Sequence, residues 1–197
     1  MDTSLACIEW PVPARFAGVL PRHWAEHGRE DYPEQWTEVV DWLASFRKYL
    51  VGSPFHEQIG HGLVLTGPAG TGKTMLACAV LNYLHDKGFS VAYVRDGDFA
   101  ALARRPFLDD NEAERFWLLE RSACVVVDDA LRQGTTSALL EPFLRYRHDE
   151  GKPTVLTMND QVSASAVMTS FLHDFTNVHF AGEDRRVHPL GVDGARW

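Results

Sequence analysis

Positive charge is scarce in this chain of 197 residues, where 19 lysines and arginines stand against 27 aspartates and glutamates for a net charge of −8. That balance argues against tight, sequence-independent binding of nucleic acid across the whole surface. Local basic faces are the remaining candidates, and their members are Arg104, Arg105, Arg145, Arg147, Arg185 and Arg186. Each is more often a solvated charge or an ion-pair member than a nucleic-acid contact.

Cysteine is also scarce. Three cysteines, an odd number without metal-binding spacing, indicate a reducing compartment and exclude a disulfide framework. Cys78 and Cys124 fall on apolar faces and are predicted to pack inside the protein, whereas Cys7 is a candidate for exposure. The nine histidines form no His-Glu-x-x-His or Cys/His cluster, so we expect no transition metal held by the protein.

Long hydrophobic runs are missing. No apolar stretch approaches the roughly 20 residues of a membrane span, and the first residues have neither the basic region nor the apolar core of a secretory signal. We therefore expect no membrane association and a cytoplasmic location. With 45 % hydrophobic and 23 % charged residues, the composition suits one α/β domain with a sizeable core.

What the chain does contain is a glycine-rich segment after a short apolar run. Leu63 to Leu65 predict a buried strand, and residues 67–74 (Gly-Pro-Ala-Gly-Thr-Gly-Lys-Thr) fit the phosphate-loop pattern G-x-x-x-x-G-K-[ST]. Glycines let the loop N–H groups point at phosphates. Lys73 adds a cation, the Thr74 hydroxyl is a Mg²⁺ ligand, and the helix dipole that follows favours the same anion. A glycine-rich turn that fits by accident is the alternative.

The nucleotide site predicted from this segment is contiguous in sequence. Its contacts are assigned to Gly67, Pro68, Ala69, Gly70, Thr71, Gly72, Lys73, Thr74 and Met75.

The N-terminal quarter differs in character from the rest. Residues 1 to about 32 combine prolines with scattered aromatics, which predicts an irregular arm docked by those aromatics. Pro33 suits the first position of an amphipathic helix that Gly52 and Pro54 should end. Its predicted inward residues are Trp36, Val39, Val40, Leu43, Phe46 and Leu50.

We divide the chain into three parts on this basis. Residues 1–54 form the arm and a helix that docks on the nucleotide domain, residues 55–187 form the core that carries the nucleotide site, and residues 188–197 form a tail. A helix that binds a partner protein is the alternative for the first part.

Four further β-rich runs alternate with helical segments. The predicted strands cover residues 90–94, 123–127, 153–157 and 177–180. Alternation of this kind predicts a parallel sheet with helices on both faces. The continuous apolar run before Asp128 is typical of a central strand that is buried on both sides.

Two carboxylates follow that central run. In a Walker B pattern Asp128 would lie at the carboxyl end of a strand and hold Mg²⁺, while Asp129 would orient or activate the attacking water. A strand end that turns into solvent is the alternative. Asn159, at the end of the fourth strand, is either a sensor for the γ-phosphate or the start of a turn.

These motifs in this order resemble AAA+ ATPases of the DnaC/IstB type, which are bacterial helicase loaders and transposition helper ATPases. The resemblance rests on the phosphate loop, on Val-Val-Asp-Asp at 126–129, on Arg145-Tyr146 and on Pro-Thr-Val-Leu-Thr-Met-Asn at 153–159. Residues 178–186 also resemble the closing segment of that family. The implied fold is an α/β P-loop NTPase three-layer sandwich, with a five-stranded parallel sheet of order 5-1-4-3-2 and no C-terminal helical lid.

The resemblance also implies chemistry. It implies ATP and Mg²⁺ as cofactors, with Thr74 and Asp128 as metal ligands. Lys73, Asp129 and Asn159 take the catalytic roles of phosphate contact, water activation and sensor. The implied activity is ATP hydrolysis by a helicase loader or replication accessory factor, with a replicative helicase as partner, single-stranded DNA as a possible ligand and self-association on ATP binding.

One departure from the family affects hydrolysis. Members usually carry an arginine finger in the helix before the last strand, whereas residues 171–176 (Phe-Leu-His-Asp-Phe-Thr) contain none. An arginine finger contributes a factor of about 10³–10⁵ to turnover, so hydrolysis by the protein alone is expected to be slow. Arg185 and Arg186 are the candidate substitutes.

Three other functions stay open on sequence grounds. A transposition helper would share the ATPase chemistry but act with a transposase. A small-molecule kinase would need an arginine-rich lid over the phosphate loop, for which residues 104–115 are the candidate segment. A nucleotide-binding scaffold without hydrolysis is the third.

Overall fold

The alternation of strands and helices is present in the protein, for which a computed structural model describes residues 12–104, 110–132, 137–160 and 164–182. Within these ranges the strands are β1 (Leu63–Thr66), β2 (Val91–Arg95), β3 (Cys124–Asp128), β4 (Thr154–Met158) and β5 (Thr176–His179). The α-helices are α1 (Pro21–Gly28), α2 (Pro33–Ser45), α3 (Lys73–Asp86), α4 (Asp96–Arg104), α5 (Asp110–Arg121), α6 (Ser137–Asp149) and α7 (Ala166–Leu172).

The described strands form one parallel sheet. Neighbouring strands follow the order β2-β3-β4-β1-β5, which from the opposite edge is the order 5-1-4-3-2 implied by the family resemblance. The strand β1 pairs with β4 on one side and with β5 on the other. Because parallel strands end at the same edge, the segments that follow β1, β3 and β4 meet there.

Helices cover both faces of this sheet, as the apolar central strand predicts. Both β3 and β4 are buried along their whole length. Side chains of one sheet face, such as Leu65 and Val126, pack with α3 and the N-terminal aromatics. Side chains of the other face, such as Val127 and Leu156, pack with residues of α4, α6 and α7. The result is the predicted three-layer sandwich.

The N-terminal residues share the core of the sheet. Trp24, Trp42 and Phe46 are each at most 2 % exposed and belong to the same cluster as Leu63. The Trp24 ring stacks on Trp36 with a centroid separation of 5.6 Å. Aromatic burial therefore ties the described part of the N-terminal arm to the nucleotide domain.

The prediction for the amphipathic helix is wrong in two respects. Helix α2 ends at Ser45 and gives way to a 3₁₀ turn over Phe46–Tyr49, so Leu50 lies beyond the helix. Val40 is 38 % exposed, and Trp42, which the predicted face omitted, is 1 % exposed. The inward stripe is spaced 39, 42 and 46, and Val40 lies about 100° from Val39 around the helix.

Arg147 is not part of a basic surface. Its side chain is fully buried, with 0 % exposure, so the prediction that it could belong to a basic face is wrong. Arg104 and Arg145 are exposed, while Arg105, Arg185 and Arg186 lie outside the described residues. From sequence, an arginine in a helix is expected to face solvent. Only the packing of α6 shows that Arg147 is buried instead.

Smaller features agree with expectation where they are described. Cys78 and Cys124 are both free and buried, as predicted, and Cys7 lies outside the described residues. No helix in the described part of the chain is long and apolar enough to cross a bilayer. The described residues end at 182, shortly after β5, so the absence of a C-terminal helical lid stays a prediction, and the predicted tail at 188–197 lies outside them.

Candidate nucleotide site

The glycine-rich segment forms a tight loop between the end of β1 and the first residue of α3. Gly67 and Gly72 take left-handed backbone angles, with φ of 138° and 88°, a region that disfavours side chains. A Cβ at Gly67 would overlap the Phe180 carbonyl oxygen, and one at Gly72 would lie 3.1 Å from the Trp24 indole nitrogen. Close approach and backbone angle together require glycine at both positions.

Lys73 folds back into this loop. Its side chain belongs to a residue that is 6 % exposed. Its ammonium donates hydrogen bonds to the carbonyls of Gly67 at 2.7 Å and Pro68 at 2.6 Å. The cation is therefore held at the loop itself, where a phosphate group would gain a charge-assisted contact.

A cavity of about 550 Å³ opens beside the loop, within the usual range for ligand pockets. Its lining comprises Arg15, Phe16, Trp24, Gly28, Ala69, Gly70, Thr71, Gly72, Lys73, Thr74, Met75, Arg95, Asp128, Asp129, Arg132 and Asn159. The cavity thus brings together the predicted site residues from three separate segments. Gly67 and Pro68 are not among these lining residues. They contribute to the site because their carbonyls accept hydrogen bonds from Lys73.

Asp128 is held by several hydrogen bonds at the cavity. It is 5 % exposed, and three hydroxyls donate hydrogen bonds to its carboxylate. Thr74 and Thr157 donate to Oδ1 at 2.8 and 2.7 Å, and Tyr93 donates to Oδ2 at 2.7 Å. Burial, followed by the hydrogen bond to Asp128, raises the pKa of Tyr93 well above its usual range, so this hydroxyl keeps its proton.

Asp129 turns away from its neighbour. Its φ of 54° lies in the left-handed region, which costs a non-glycine residue energy and is common at functional sites. The Asp129 N–H donates to the Thr157 hydroxyl at 2.9 Å. Its side chain is 44 % exposed at the cavity, 3.6 Å from Arg132. The two adjacent carboxylates therefore have different surroundings, one enclosed by hydroxyls and one open to solvent.

Asn159 follows β4 directly and is half-buried at the cavity wall. A sensor role for Asn159 carries the condition that its strand neighbours the phosphate-loop strand. The pairing of β1 with β4 meets that condition, with Thr66 opposite Met158.

Several cavity residues were not identified from the sequence. Arg15, Phe16 and Trp24 line it from the N-terminal arm. The arm is fastened there by Asn82 of α3, whose amide donates to the carbonyls of Phe16 at 2.9 Å and Val19 at 2.8 Å. The aromatic content of the arm was the available signal, and it was interpreted as packing alone.

Thr157 and Tyr93 were missed for a different reason. A threonine or tyrosine within a strand has no functional signature of its own, because both residue types are common in strands. Their partner Asp128 lies 29 and 35 positions away in the sequence. Only the strand order brings the three together.

Thr157→Val should lower stability, because valine has a similar shape but no hydroxyl. The change removes a donor from the buried Asp128 carboxylate and an acceptor from the Asp129 N–H, and losses of this kind cost about 1–3 kcal/mol. Urea unfolding measures the effect. Thr37→Val on the exposed face of α2 is the matched control. Equal unfolding midpoints for the two variants would contradict the assignment of Thr157.

Fold and site together define a class. The phosphate loop follows β1, which lies between β4 and β5, and the aspartate pair lies at the end of β3, on the other side of β4. This arrangement in a parallel sheet of order 5-1-4-3-2 is the architecture of AAA+ P-loop ATPases. The protein is an AAA+ ATPase of the DnaC/IstB type. Residues 48–189 match the model of the family described as IstB-like ATP binding protein, and the chain belongs to that family.

Similar proteins agree with this placement. The replicative helicase loader DnaI of Bacillus subtilis (strain 168) is 24 % identical over 152 residues, which are 66 % of this chain and 49 % of that protein. A crystal structure of DnaI superposes with a TM-score of 0.65 at 19 % identity, covering 88 % of this chain and 94 % of the other.

A second solved structure extends the fold comparison. The replication initiator DnaA bound to AMPPCP and single-stranded DNA has a TM-score of 0.66 at 16 % identity, over 87 % of this chain and 51 % of DnaA. At these identities the structures establish the shared fold. The match covers 49 % of the DnaI protein sequence and 51 % of the DnaA chain, so this chain spans about half the length of each.

Proposed function

We propose that this protein binds ATP with Mg²⁺ and hydrolyses it, and that it acts as a DnaC-like helicase loader or replication accessory ATPase. The observation that carries the proposal is the Thr74 to Asp128 hydrogen bond of 2.8 Å beside the loop that holds Lys73. It joins the two motifs that would bind the metal and the triphosphate. ATP is the nucleotide because the family is one of ATP-binding proteins.

The residues at this point suit Mg²⁺. Thr74 offers a hydroxyl and Asp128 a carboxylate, both hard oxygen donors, and Mg²⁺ usually binds one or two such groups together with substrate phosphates. No three His, Cys, Asp or Glu side chains come together as a metal site in the described ranges, so the nucleotide itself would complete the coordination. When bound, the ion would neutralise charge on the phosphates.

The other predicted roles follow from the same geometry. Lys73 would contact the phosphates from within the loop. Asp129, open to the cavity, would orient or activate a water molecule, and Asn159 would contact the γ-phosphate from the end of the neighbouring strand. Arg15, Phe16 and Trp24 lie at the N-terminal side of the cavity and would contact the nucleoside.

Turnover by the protein alone should be slow. Residues 171–176 lack an arginine, and Arg185 and Arg186 lie outside the described residues. Arg95 and Arg132 line the cavity. They lie beside Asp129 and belong to this subunit, whereas the arginine finger of the family comes from a neighbouring subunit. We propose that a neighbouring subunit or partner supplies the missing cation.

The partner is the further part of the proposal. The similarity to DnaI, a replicative helicase loader, is the basis for proposing a replicative helicase as the partner. Single-stranded DNA is proposed as a second ligand. The division into a docking part at 1–54, a core at 55–187 and a tail also remains a proposal. Affinity capture of a ring helicase in ATP, but not in its absence, is the test; capture of a transposase instead would favour the transposition helper.

The transposition-helper alternative is supported by the family match, because that family is named for IstB.

The kinase alternative is weaker. In the described part of its candidate lid, Arg104 and Arg115 are exposed and are not among the residues that line the cavity, while residues 105–109 lie outside the described ranges.

Asp129→Asn should preserve ATP binding and slow hydrolysis by about 10²–10⁴-fold, the usual contribution of a general base. The amide keeps size and polarity but does not accept a proton. Phosphate release is measured with and without single-stranded DNA, alongside the mass of the complex in ATP. Asp149→Asn at the exposed end of α6 is the control. Hydrolysis at the wild-type rate in Asp129→Asn would remove that residue from its role.

A further inference from the structure

Tyr93 reaches Asp128 from the outer strand of the sheet. It lies on β2 opposite Val126, while Asp128 is opposite Arg95, so the contact is a diagonal one that a long aromatic side chain can span. The phenol is 4 % exposed, and its ring packs in the core cluster with Cys78 and Val126. Strand pairing and ring packing therefore fix the hydroxyl in place.

The direction of the hydrogen bond at this hydroxyl is fixed by its partner. A carboxylate only accepts hydrogen bonds, so the phenol proton points to Asp128 Oδ2 at 2.7 Å. With Thr74 and Thr157 both on Oδ1, Tyr93 alone among the described residues anchors the second oxygen, and its hydrogen bond adds to the resistance of the carboxylate to rotation.

A fixed carboxylate also orients Thr74. Because the Thr74 hydroxyl donates its proton to Asp128, the lone pairs of its oxygen stay free for a metal. Groups that orient metal ligands from outside the coordination sphere typically change metal affinity by 10–100-fold when they are removed.

We propose that Tyr93 is a positioning residue that holds Asp128 through Oδ2 and so sets how strongly Mg²⁺ enhances nucleotide binding. This inference rests on the proposed function of the site. It assigns a role to β2, which carries none of the phosphate-loop, aspartate-pair or sensor motifs.

The test is a comparison of nucleotide affinity with and without metal. Binding of a fluorescent N-methylanthraniloyl ATP is measured by anisotropy in excess EDTA and across a Mg²⁺ titration. In Tyr93→Phe we expect an unchanged affinity in EDTA and a Mg²⁺ midpoint raised about 10-fold. Phenylalanine keeps the packed ring, and thermal melting without nucleotide verifies that the variant is folded.

Tyr83→Phe is the matched control, since Tyr83 lies on α3 near Lys87 and is not among the residues that line the cavity. It should reproduce the wild-type titration. A Tyr93→Phe midpoint within twofold of wild type would overturn the proposal, and so would an equal loss of affinity in EDTA and Mg²⁺, which indicates general damage. If the wild-type protein itself binds no nucleotide, the proposed function fails instead.

Discussion

Lys73→Ala should reduce ATP affinity by at least about 100-fold. The Lys73 ammonium donates hydrogen bonds to two loop carbonyls, at 2.6 and 2.7 Å, and the residue is 6 % exposed. A hydrogen bond to a charged group is worth about 1.5–3 kcal/mol, and each 1.4 kcal/mol is about tenfold in affinity. Two such contacts from Lys73 to the phosphates would account for the expected change, which equilibrium binding of labelled ATP measures.

The variant also tests whether the loop is formed before the nucleotide arrives. Its carbonyl partners belong to Gly67 and Pro68, so some destabilisation of the loop is expected and thermal melting without ATP reports it. Lys87→Ala, an exposed lysine at the other end of α3, removes the same charge from the protein and should leave affinity unchanged. If Lys73→Ala binds ATP within threefold of wild type, the loop is not the phosphate site.

Arg147→Met should destabilise the fold by about 3–5 kcal/mol, because several buried carbonyls lose their donor and each unsatisfied buried group costs about 1–3 kcal/mol. Its guanidinium is fully buried. It donates to Thr154 Oγ1 at 2.9 Å and to the carbonyls of Leu119 at 2.6 Å, Ser122 at 3.0 Å and Pro153 at 2.9 Å. Methionine fills similar space but leaves these carbonyls without their donor, and each unsatisfied buried group costs free energy.

Arg147 matters because of what it joins. It ties helix α6 to the end of α5 and to the first residues of β4, next to the start of β3. Burial lowers its pKa to about 10, still well above neutral, so the cation is retained. Guanidinium chloride unfolding compares Arg147→Met with Arg145→Met, whose partner Glu141 lies 3.1 Å away at the surface. A surface ion pair contributes at most about 1 kcal/mol, and equal losses in both variants would contradict the role of Arg147.

Much of the fold was predictable because its signals are local. Apolar runs of strand length alternating with helical periodicity are sufficient for a parallel α/β sheet, and Gly88, with φ of 84°, follows the end of α3 as a helix-ending glycine does. The strand order came from the family resemblance rather than from periodicity. Where periodicity alone was used, in α2, it placed Val40 inside and omitted Trp42.

The sequence by itself determined the phosphate loop, because turn geometry, cation and hydroxyl occupy eight consecutive residues and need no distant partner. It also placed Asp128, Asp129 and Asn159 at strand ends. Only the tertiary structure decided that Asp128 is enclosed by Thr74, Thr157 and Tyr93, and that Arg147 is a buried connection. Such contacts join groups that are adjacent in the fold but distant in the chain, so no local pattern records them.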